Sequence, residues 1–426
     1  QKADNVSGLL GEYSLKIFYE SRSPKLPQGF LLRIGIDDFK NINESHGNEY
    51  GDYILRRTAQ CIEENIGPEQ SLFHIVADEF AVVDFSGGSV QQAEDLFHEI
   101  KKSIYAFIEQ NQYKAVYTVS GGIVKNGDVD NSFENAMKLS EFALSEAKER
   151  GKNNCYVFEE EEYEDYLKSR TLLRQLHHAV NNGFEGFEAY FQPLVNAANG
   201  ELTGAETLLR FHSPEGGMVS PGEFIPILEE SGLIIPVGRW VLRQALDACR
   251  EWQKILPEFK VNVNLSYVQV LKSRVLTDVR RIVDEFGVKP SSVCIELKES
   301  GYQEENERFD KVWNGLKEYG VLLALDDFGT GYSNLRCLSD LKPAYIKIDR
   351  SFTLKALNRE YEYRLLNHIV EMSHSLGLHV CVEGIETEGE LTKAKQTEPD
   401  YIQGFLFGKP CSRAEFTQKF FTKQAG

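Results

Sequence analysis

Two adjacent aspartates, Asp326 and Asp327, end the apolar run of LLALDDFGTG, which spans Leu322 to Gly331. Side chains alternate faces along a strand, so neighbouring acids converge only where the chain leaves the sheet. Two unpaired buried carboxylates repel each other and are costly to desolvate, which calls for a positive partner. More acids occupy comparable places: Glu206 in GAETLLR, Glu296 in CIELKE, Asp349 in YIKIDRSF and Glu383 in HVCVEG. The inward cations expected beside them are Arg210, Lys298 and Lys347, so six acids minus three cations leaves an excess of three negative charges. For any one of these residues a cap or an ion pair at a strand end is the plainer reading. Six together are not balanced as a structural network would be, because uncompensated buried charge is very costly. Hard divalent cations favour oxygen ligands, so these carboxylates with the Asn264 amide suit Mg2+ or Mn2+. The adjacent aspartates point to a ligand shared by two metals, which at about 3.5–4 Å apart serve in-line phosphoryl displacement.

The elements that must position these groups are short β-rich runs: YFQPLV, TGAETLLRF, KVNVNLS, VCIELKES, VLLALDDFG, YIKIDRSF, HVCVEGIE and YIQGFLFGKP. Helical stretches such as WVLRQALDACREWQKIL and FDKVWNGLKEYG lie between most of them. About eight β/α units in roughly 240 residues is the size of a (β/α)8 barrel, whose chemistry sits at the C-terminal ends of the strands. The alternation agrees. Val261, Val263 and Leu265 share one face while Asn262, Asn264 and Ser266 share the other, and Ile295 and Leu297 face the helices while Glu296 and Lys298 face the lumen. Ile346 and Ile348 point outward and leave Lys347 and Asp349 inward, and Val380 and Val382 leave Glu383 inward.

The 426 residues carry 42% hydrophobic and 26% charged side chains, an ordinary globular composition. A formal net charge of −18 repels nucleic-acid backbones, so duplex DNA or RNA is not an expected partner. No long apolar run is present, so no membrane contact is expected within the chain. Seven scattered cysteines without a CxxC pair read as packed thiols in a reducing cytosol. His177, His178, His374 and His379 read as surface or packing residues rather than zinc ligands. The chain opens on Gln1 and is expected to be the cytoplasmic part of something longer.

The motifs GAETLLRF, YFQPLV, VNLS, ELKES, DDFGTGYSNL, YIKIDRSF, VEGIET and QGFLFGKP resemble, in order and spacing, those of EAL-domain cyclic di-GMP phosphodiesterases, over about residues 170 to 415. The resemblance implies that Glu206, Asn264, Glu296 and Asp326 hold one metal, and that Asp326, Asp327 and Glu383 hold or orient a second. It implies that Lys347 contacts the attacking water; the general base is this lysine or a glutamate. It makes Gln192, Leu208, Arg210, Asp349 and Gln403 substrate contacts, and Glu299 the acid that steadies the DDFGTG loop, where Gly329 and Gly331 permit a tight bend. The family usually has Thr where this chain has Lys298, which either pairs with a ligand carboxylate or leans outward at the strand end.

The earlier part of the chain has another signature. GFLLRIGIDDFK reads as a strand entering a loop, and LFHIVADEFAVVDF as a hairpin with Ala77, Asp78 and Glu79 at its turn. With DNVSGLLGE, NINESHGNEYGD and SEAKERGKNN, these resemble a GGDEF domain, the diguanylate cyclase fold, over about residues 4 to 158. Where that family has two glycines this chain has Val76 and Ala77, and where it has its first metal-binding aspartate this chain has Gly35. The inhibitory RxxD motif falls on GPEQ, Gly67 to Gln70. The domain is therefore expected to be dead as a cyclase. Asn43 and Asp52 match the family's guanine contacts, Asp78, Glu79 and Lys148 are kept, and Lys152 replaces the usual arginine. Either these residues form a regulatory GTP site, or they persist for the fold alone.

The sequence thus predicts a degenerate, nucleotide-cyclase-like α+β GGDEF domain over 1–158, a connecting helix over 159–175, and a TIM-like (β/α)8 EAL barrel over 176–426. The expected activity is hydrolysis of cyclic di-GMP to linear pGpG with two Mg2+ or Mn2+ per barrel, tuned by GTP at the first domain, in a cytoplasmic homodimer. The rivals are a non-enzymatic receptor for cyclic di-GMP and GTP, and a diguanylate cyclase, which Gly35, Val76 and Ala77 disfavour.

Overall fold

A computed structural model describes residues 3–22, 28–114, 116–129, 132–302, 306–330 and 335–422. Two compact units divide the chain, Gln1–Leu167 and Lys168–Gly426. In the first, β1 (Phe30–Ile36), β2 (Gln70–Val76), β3 (Glu79–Asp84), β4 (Val119–Lys125) and β5 (Cys155–Val157) form one sheet in the order β2-β3-β1-β4-β5. The apolar run FLLRIGI is buried along its whole length because it is the central strand with a core on each face. Leu32 and Ile34 pack with Ile54 of the helix Asn48–Glu63 and Phe97 of the helix Val90–Gln110. Leu31 packs on the other side with Leu15 and Ala143. The expected hairpin is present, β2 pairing antiparallel with β3 across Ala77 and Asp78.

The second unit contains β6 (Phe187–Asn196), β7 (Leu202–His212), β8 (Met218–Val219), β9 (Lys260–Asn264), β10 (Val293–Lys298), β11 (Leu322–Phe328), β12 (Tyr345–Ile348), β13 (His379–Glu383), β14 (Tyr401–Gln403) and β15 (Cys411–Ser412). A run of parallel pairings from β7 through β9 to β14 is closed by β6 into an eight-stranded barrel, with β8 and β15 as short edge additions. The barrel departs from eight equal β/α units in its first strand. β6 is antiparallel to both β7 and β14, because it reaches β7 through a tight hairpin rather than a helix. Asn199 and Gly200 make that turn, with Gly200 at φ 71, the left-handed region in which glycine carries no Cβ penalty.

Outward-facing Val261, Val263, Ile295, Leu297, Ile346, Ile348, Val380 and Val382 are all buried in one core with residues of the surrounding helices, including Leu246 and Ile282. Each such side chain contributes about 1.5–3 kcal/mol by leaving water. That burial fixes the strands' register, and therefore which residues face the lumen. The connecting helix is longer than the expected 159–175: it spans Glu160–Asn181, because the pattern of TLLRQLHHAV continues until Gly183, at φ 71, ends it. Among the described residues no helix is long and apolar enough to cross a membrane.

Candidate active site

The C-terminal ends of the barrel strands converge on one buried ammonium. Lys347, on β12, is 1% exposed. Its Nζ lies 3.0 Å from Glu206, 3.0 Å from Glu296, 2.8 Å from Glu383 and 3.7 Å from Asp326. These carboxylates come from β7, β10, β13 and β11, so β12 holds its lysine where the others meet. Amides set the carboxylates' orientation. Asn264 Nδ2 donates to Glu206 Oε1 at 2.9 Å, Gln403 Nε2 to Glu206 Oε2 at 2.7 Å and to Gln192 Oε1 at 2.9 Å, and Asn262 Nδ2 to Glu296 Oε1 at 2.5 Å. Asn262 was not among the candidate residues, although its place on the lumen face of KVNVNLS was the available signal.

A bulge answers how neighbouring aspartates reach one site. Between Leu325 and Phe328 β11 advances three residues while β12 advances two, from Ile346 to Ile348. Asp327 absorbs the extra residue at φ 58, a left-handed conformation that aspartate adopts more readily than most residues. The strand's alternation is broken there, and Asp326 and Asp327 both line a cavity of about 580 Å3 at the barrel mouth. Glu206, Leu208, Arg210, Asn264 and Glu383 line it too.

Three of the expected inward side chains go elsewhere. Lys298 stands at the last position of β10, where no further strand holds it, and its side chain is 65% exposed while its Nζ pairs with Asp327 at 3.1 Å. It therefore both leans outward and engages a candidate ligand. Asp349 is taken up as the N-cap of the helix Arg350–Asn358, accepting from the Ser351 N–H at 2.8 Å. Arg210 lies over the Tyr190 ring and donates to the Leu209 carbonyl at 2.9 Å, so it lines the mouth without entering the carboxylate cluster. The formal count changes its members but not its result: with every group ionised, four carboxylates around Lys347 minus one ammonium again leave an excess of three, which burial opposes by raising most of the carboxyl pKa values. Glu299 is buried in the short turn Glu299–Gly301 beyond β10. Gly329 makes its bend at φ 100, whereas Gly331 lies outside the described residues.

The electrostatics follow from this crowding. Burial and the Glu206 charge push Glu296 well above the carboxylate range, and burial with the other acids pushes Glu383 up to about 8 against the pull of Lys347. Burial also raises Asp326. Burial opposes ionisation of Glu206 too, but Lys347 and the Gln403 and Asn264 amides outweigh it and lower its pKa. The carboxylates hold Lys347 well above the ordinary lysine value although burial opposes them.

Among the described residues no three His, Cys, Asp or Glu side chains already stand as a preformed metal-ligand group. The donor chemistry nevertheless fits hard divalent cations. The cluster offers oxygen ligands with excess negative charge, and the buried Asp326 Oδ1 and Gln403 Oε1 have no hydrogen-bond partner.

In the first unit the candidate nucleotide residues fall into two sets. Asn43, on the helix Phe39–His46, packs over Gly51 so closely that a Cβ there would stand 1.8 Å from its Oδ1, and Asp52 is the next residue. Asp78 sits at the hairpin turn, where burial raises its pKa against the opposing charge of Lys148. A Cβ added at Gly35 would stand 3.1 Å from Lys148 Nζ, so the lysine's tip fills the space beside that glycine. Lys152 pairs with Asp38 at 2.8 Å, and Glu79 with Arg33 at 2.6 Å. The sequence reading missed Asp37, which is buried and accepts from Thr118 Oγ1 at 2.6 Å and Ser120 Oγ at 2.8 Å.

A closed eight-stranded barrel with an acidic mouth at its strand ends is a TIM-like architecture. The chain belongs to the EAL domain family, whose profile matches residues 173–410, and it carries a diguanylate cyclase GGDEF domain over residues 14–154. It is 32% identical over 410 residues to the protein y4lL of Sinorhizobium fredii, covering 96% of this chain and 49% of that one. It is 28% identical over 381 residues to the bifunctional diguanylate cyclase/cyclic di-GMP phosphodiesterase MucR of Pseudomonas aeruginosa, covering 89% and 55%. Among solved structures, the PaMucR phosphodiesterase in its c-di-GMP complex is 32% identical with a TM-score of 0.54, covering 58% of this chain and 99% of that one. The chain spans about half the length of the curated relatives it matches.

Proposed function

We propose that the barrel is a metal-dependent phosphodiesterase that opens cyclic di-GMP to linear pGpG. The observation that carries this reading is the cluster of Glu206, Glu296, Asp326 and Glu383 around Lys347 at the floor of an open mouth. Glu206, Asn264, Glu296, Asp326, Asp327 and Glu383 would hold two Mg2+ or Mn2+, which when bound offset the carboxylate charge and lower the pKa of water. Lys347 keeps the carboxylates gathered and presents a buried ammonium beside the place where water must attack. Gln403 and Gln192 brace Glu206, and Arg210 and Leu208 line the wall available to the substrate. Turnover is read by incubating the full chain with cyclic di-GMP and Mn2+ and separating the products. Metal-dependent pGpG, lost in Glu206→Ala, is expected; intact cyclic di-GMP with binding retained would leave the receptor reading. That second reading draws on the Lys298–Asp327 pair, which competes for a ligand carboxylate.

The first domain, on this proposal, is silent as a cyclase and takes GTP as a regulator, in a cytoplasmic homodimer. Lys148 beside Gly35, and Ala77 at a hairpin position of φ 46, support the loss of cyclase chemistry. Asn and Asp suit a guanine edge because they supply acceptor and donor groups. GTP binding that disappears in Asp52→Ala is the expected result, and a wild-type chain that binds no GTP would end the regulatory reading.

A further inference from the structure

A second cavity, of about 330 Å3, lies inside the barrel on the far side of Lys347 from the mouth. Its origin can be read from the period of the strands. Two residues before Glu206, Glu296, Asp326 and Glu383 stand Gly204, Cys294, Ala324 and Cys381, which by alternation share the same lumen face. Barrels of this architecture usually fill that layer with bulky branched side chains. Here small Cys294, Ala324 and Cys381 leave it hollow, within the size range of small-molecule sites, whereas at Gly204 a Cβ would stand 2.5 Å from the Lys260 carbonyl oxygen. Tyr345 and Tyr401 form one wall with ring centroids 5.8 Å apart, and Lys260 Nζ donates to Tyr345 Oη at 3.4 Å.

The walls name the ligand chemistry. Apolar side chains, two tyrosine rings and two buried thiols favour a flat, uncharged aromatic body. Asn262 and the Tyr345 hydroxyl offer it a polar end. Glu258 and Lys260 also line it, but their opposite charges leave no net charge for a ligand to pair with, so a charged ligand would be desolvated there without compensation. Two lining residues are shared with the carboxylate cluster: Lys347 itself, and Asn262, whose amide holds Glu296. A body seated there presses on the stems of both, so occupancy and the arrangement of the carboxylates are linked.

We propose that this cavity is a regulatory site for a small neutral aromatic of the size of indole or a phenol, acting on the carboxylate cluster through Lys347 and Asn262. Its binding half stands apart from the phosphodiesterase reading, and its regulatory half rests on it. The test titrates the full chain with indole by calorimetry. In parallel, Cys294 and Cys381 are labelled with methyl methanethiosulfonate and read by mass spectrometry, with buried Cys249 and Cys337 outside the cavity as controls. Saturable binding at or below about 1 mM is expected, with protection of Cys294 and Cys381 alone. Ala324→Leu and Cys381→Leu, which fill the hollow from different strands, should each abolish binding in a protein whose melting transition persists. Cyclic di-GMP turnover should shift at least twofold with indole bound. No binding at several millimolar, or binding unchanged in both filled variants, overturns the site. Binding with turnover unmoved overturns its regulatory role. If the chain turns over no cyclic di-GMP at all, the phosphodiesterase reading fails while thiol protection still decides the site.

Discussion

Replacing Lys347 by methionine keeps an unbranched side chain of similar length and removes only the charge. Four carboxylates within 2.8–3.7 Å of Nζ then lose their one buried cation. Breaking a buried ion pair by deleting one partner costs about 3–5 kcal/mol, because the charge left behind stays desolvated. For a unit of this size each kcal/mol moves the melting midpoint by about 2–4 °C, so Lys347→Met in EDTA should melt about 6–20 °C below wild type. A bound divalent cation offsets the same charge. Wild type gains about 2.7 kcal/mol at a hundredfold excess of ligand over its Kd. The variant should gain more, since its carboxylates no longer have an ammonium to satisfy. The assay is thermal unfolding of both proteins in EDTA and in Mn2+. Lys347→Arg controls for the loss of charge and should fall between them. If Lys347→Met melts with wild type in EDTA, the lysine holds no carboxylate charge. If it melts low but Mn2+ raises neither protein, the cluster is a structural network and not a metal site; if both gain equally, the metal and the lysine do not share the carboxylate charge.

Lys298→Thr removes an exposed pair worth about 0.2–1 kcal/mol; it should leave the melting midpoint nearly unchanged and tighten Mn2+ binding by about two- to fivefold, measured by calorimetry. Ala77→Gly relieves a left-handed alanine at φ 46 and should stabilise the first unit by up to about 1 kcal/mol, read by denaturant titration. Gly35→Asp would place its Cβ 3.1 Å from Lys148 Nζ and 3.2 Å from Leu144; the lysine tip can swing aside and pair with the new acid, so the variant should fold yet still make no cyclic di-GMP from GTP. Asp400 accepts from the Val380 N–H at 2.7 Å and pairs with His374 at 2.8 Å, and although burial opposes them these bonds hold its pKa below the ordinary aspartate value. A lowered carboxylate contributes stability that is present above the unfolded pKa and lost as pH falls through the folded one. Asp400→Asn should therefore lower the melting midpoint at pH 7 and flatten its decline toward pH 3.

The barrel and its cluster were legible because one rule, alternation along short strands, governs both. The valines and isoleucines that seek the helices leave Glu206, Glu296, Lys347 and Glu383 no direction but the lumen, and no knowledge of the loops is needed. The rule fails where a strand stops. Lys298 and Asp349 carry the inward parity, yet each lies at a strand's end, where solvent or a helix N-terminus competes for the side chain and wins. It fails again at Asp327, because a bulge resets parity and one sequence cannot reveal which residue will turn left-handed. The reversed first strand was signalled by Asn199–Gly200, but the weight of the repeating β/α pattern hid it. The hollow beneath the cluster was spelled out by Cys294, Ala324 and Cys381, each two residues before an acid. Small residues read singly are unremarkable, and their meaning appears only when the register sets three of them in one layer. That same register gives Lys347 two environments, carboxylates at its tip and a hollow along its stem. Lys347 is 1% exposed, so its stem meets the hollow over a narrow strip while its tip is held by the carboxylates. On the two proposals made above, the carboxylate geometry at the mouth would be set jointly by what binds above the ammonium and by what fills the space below it.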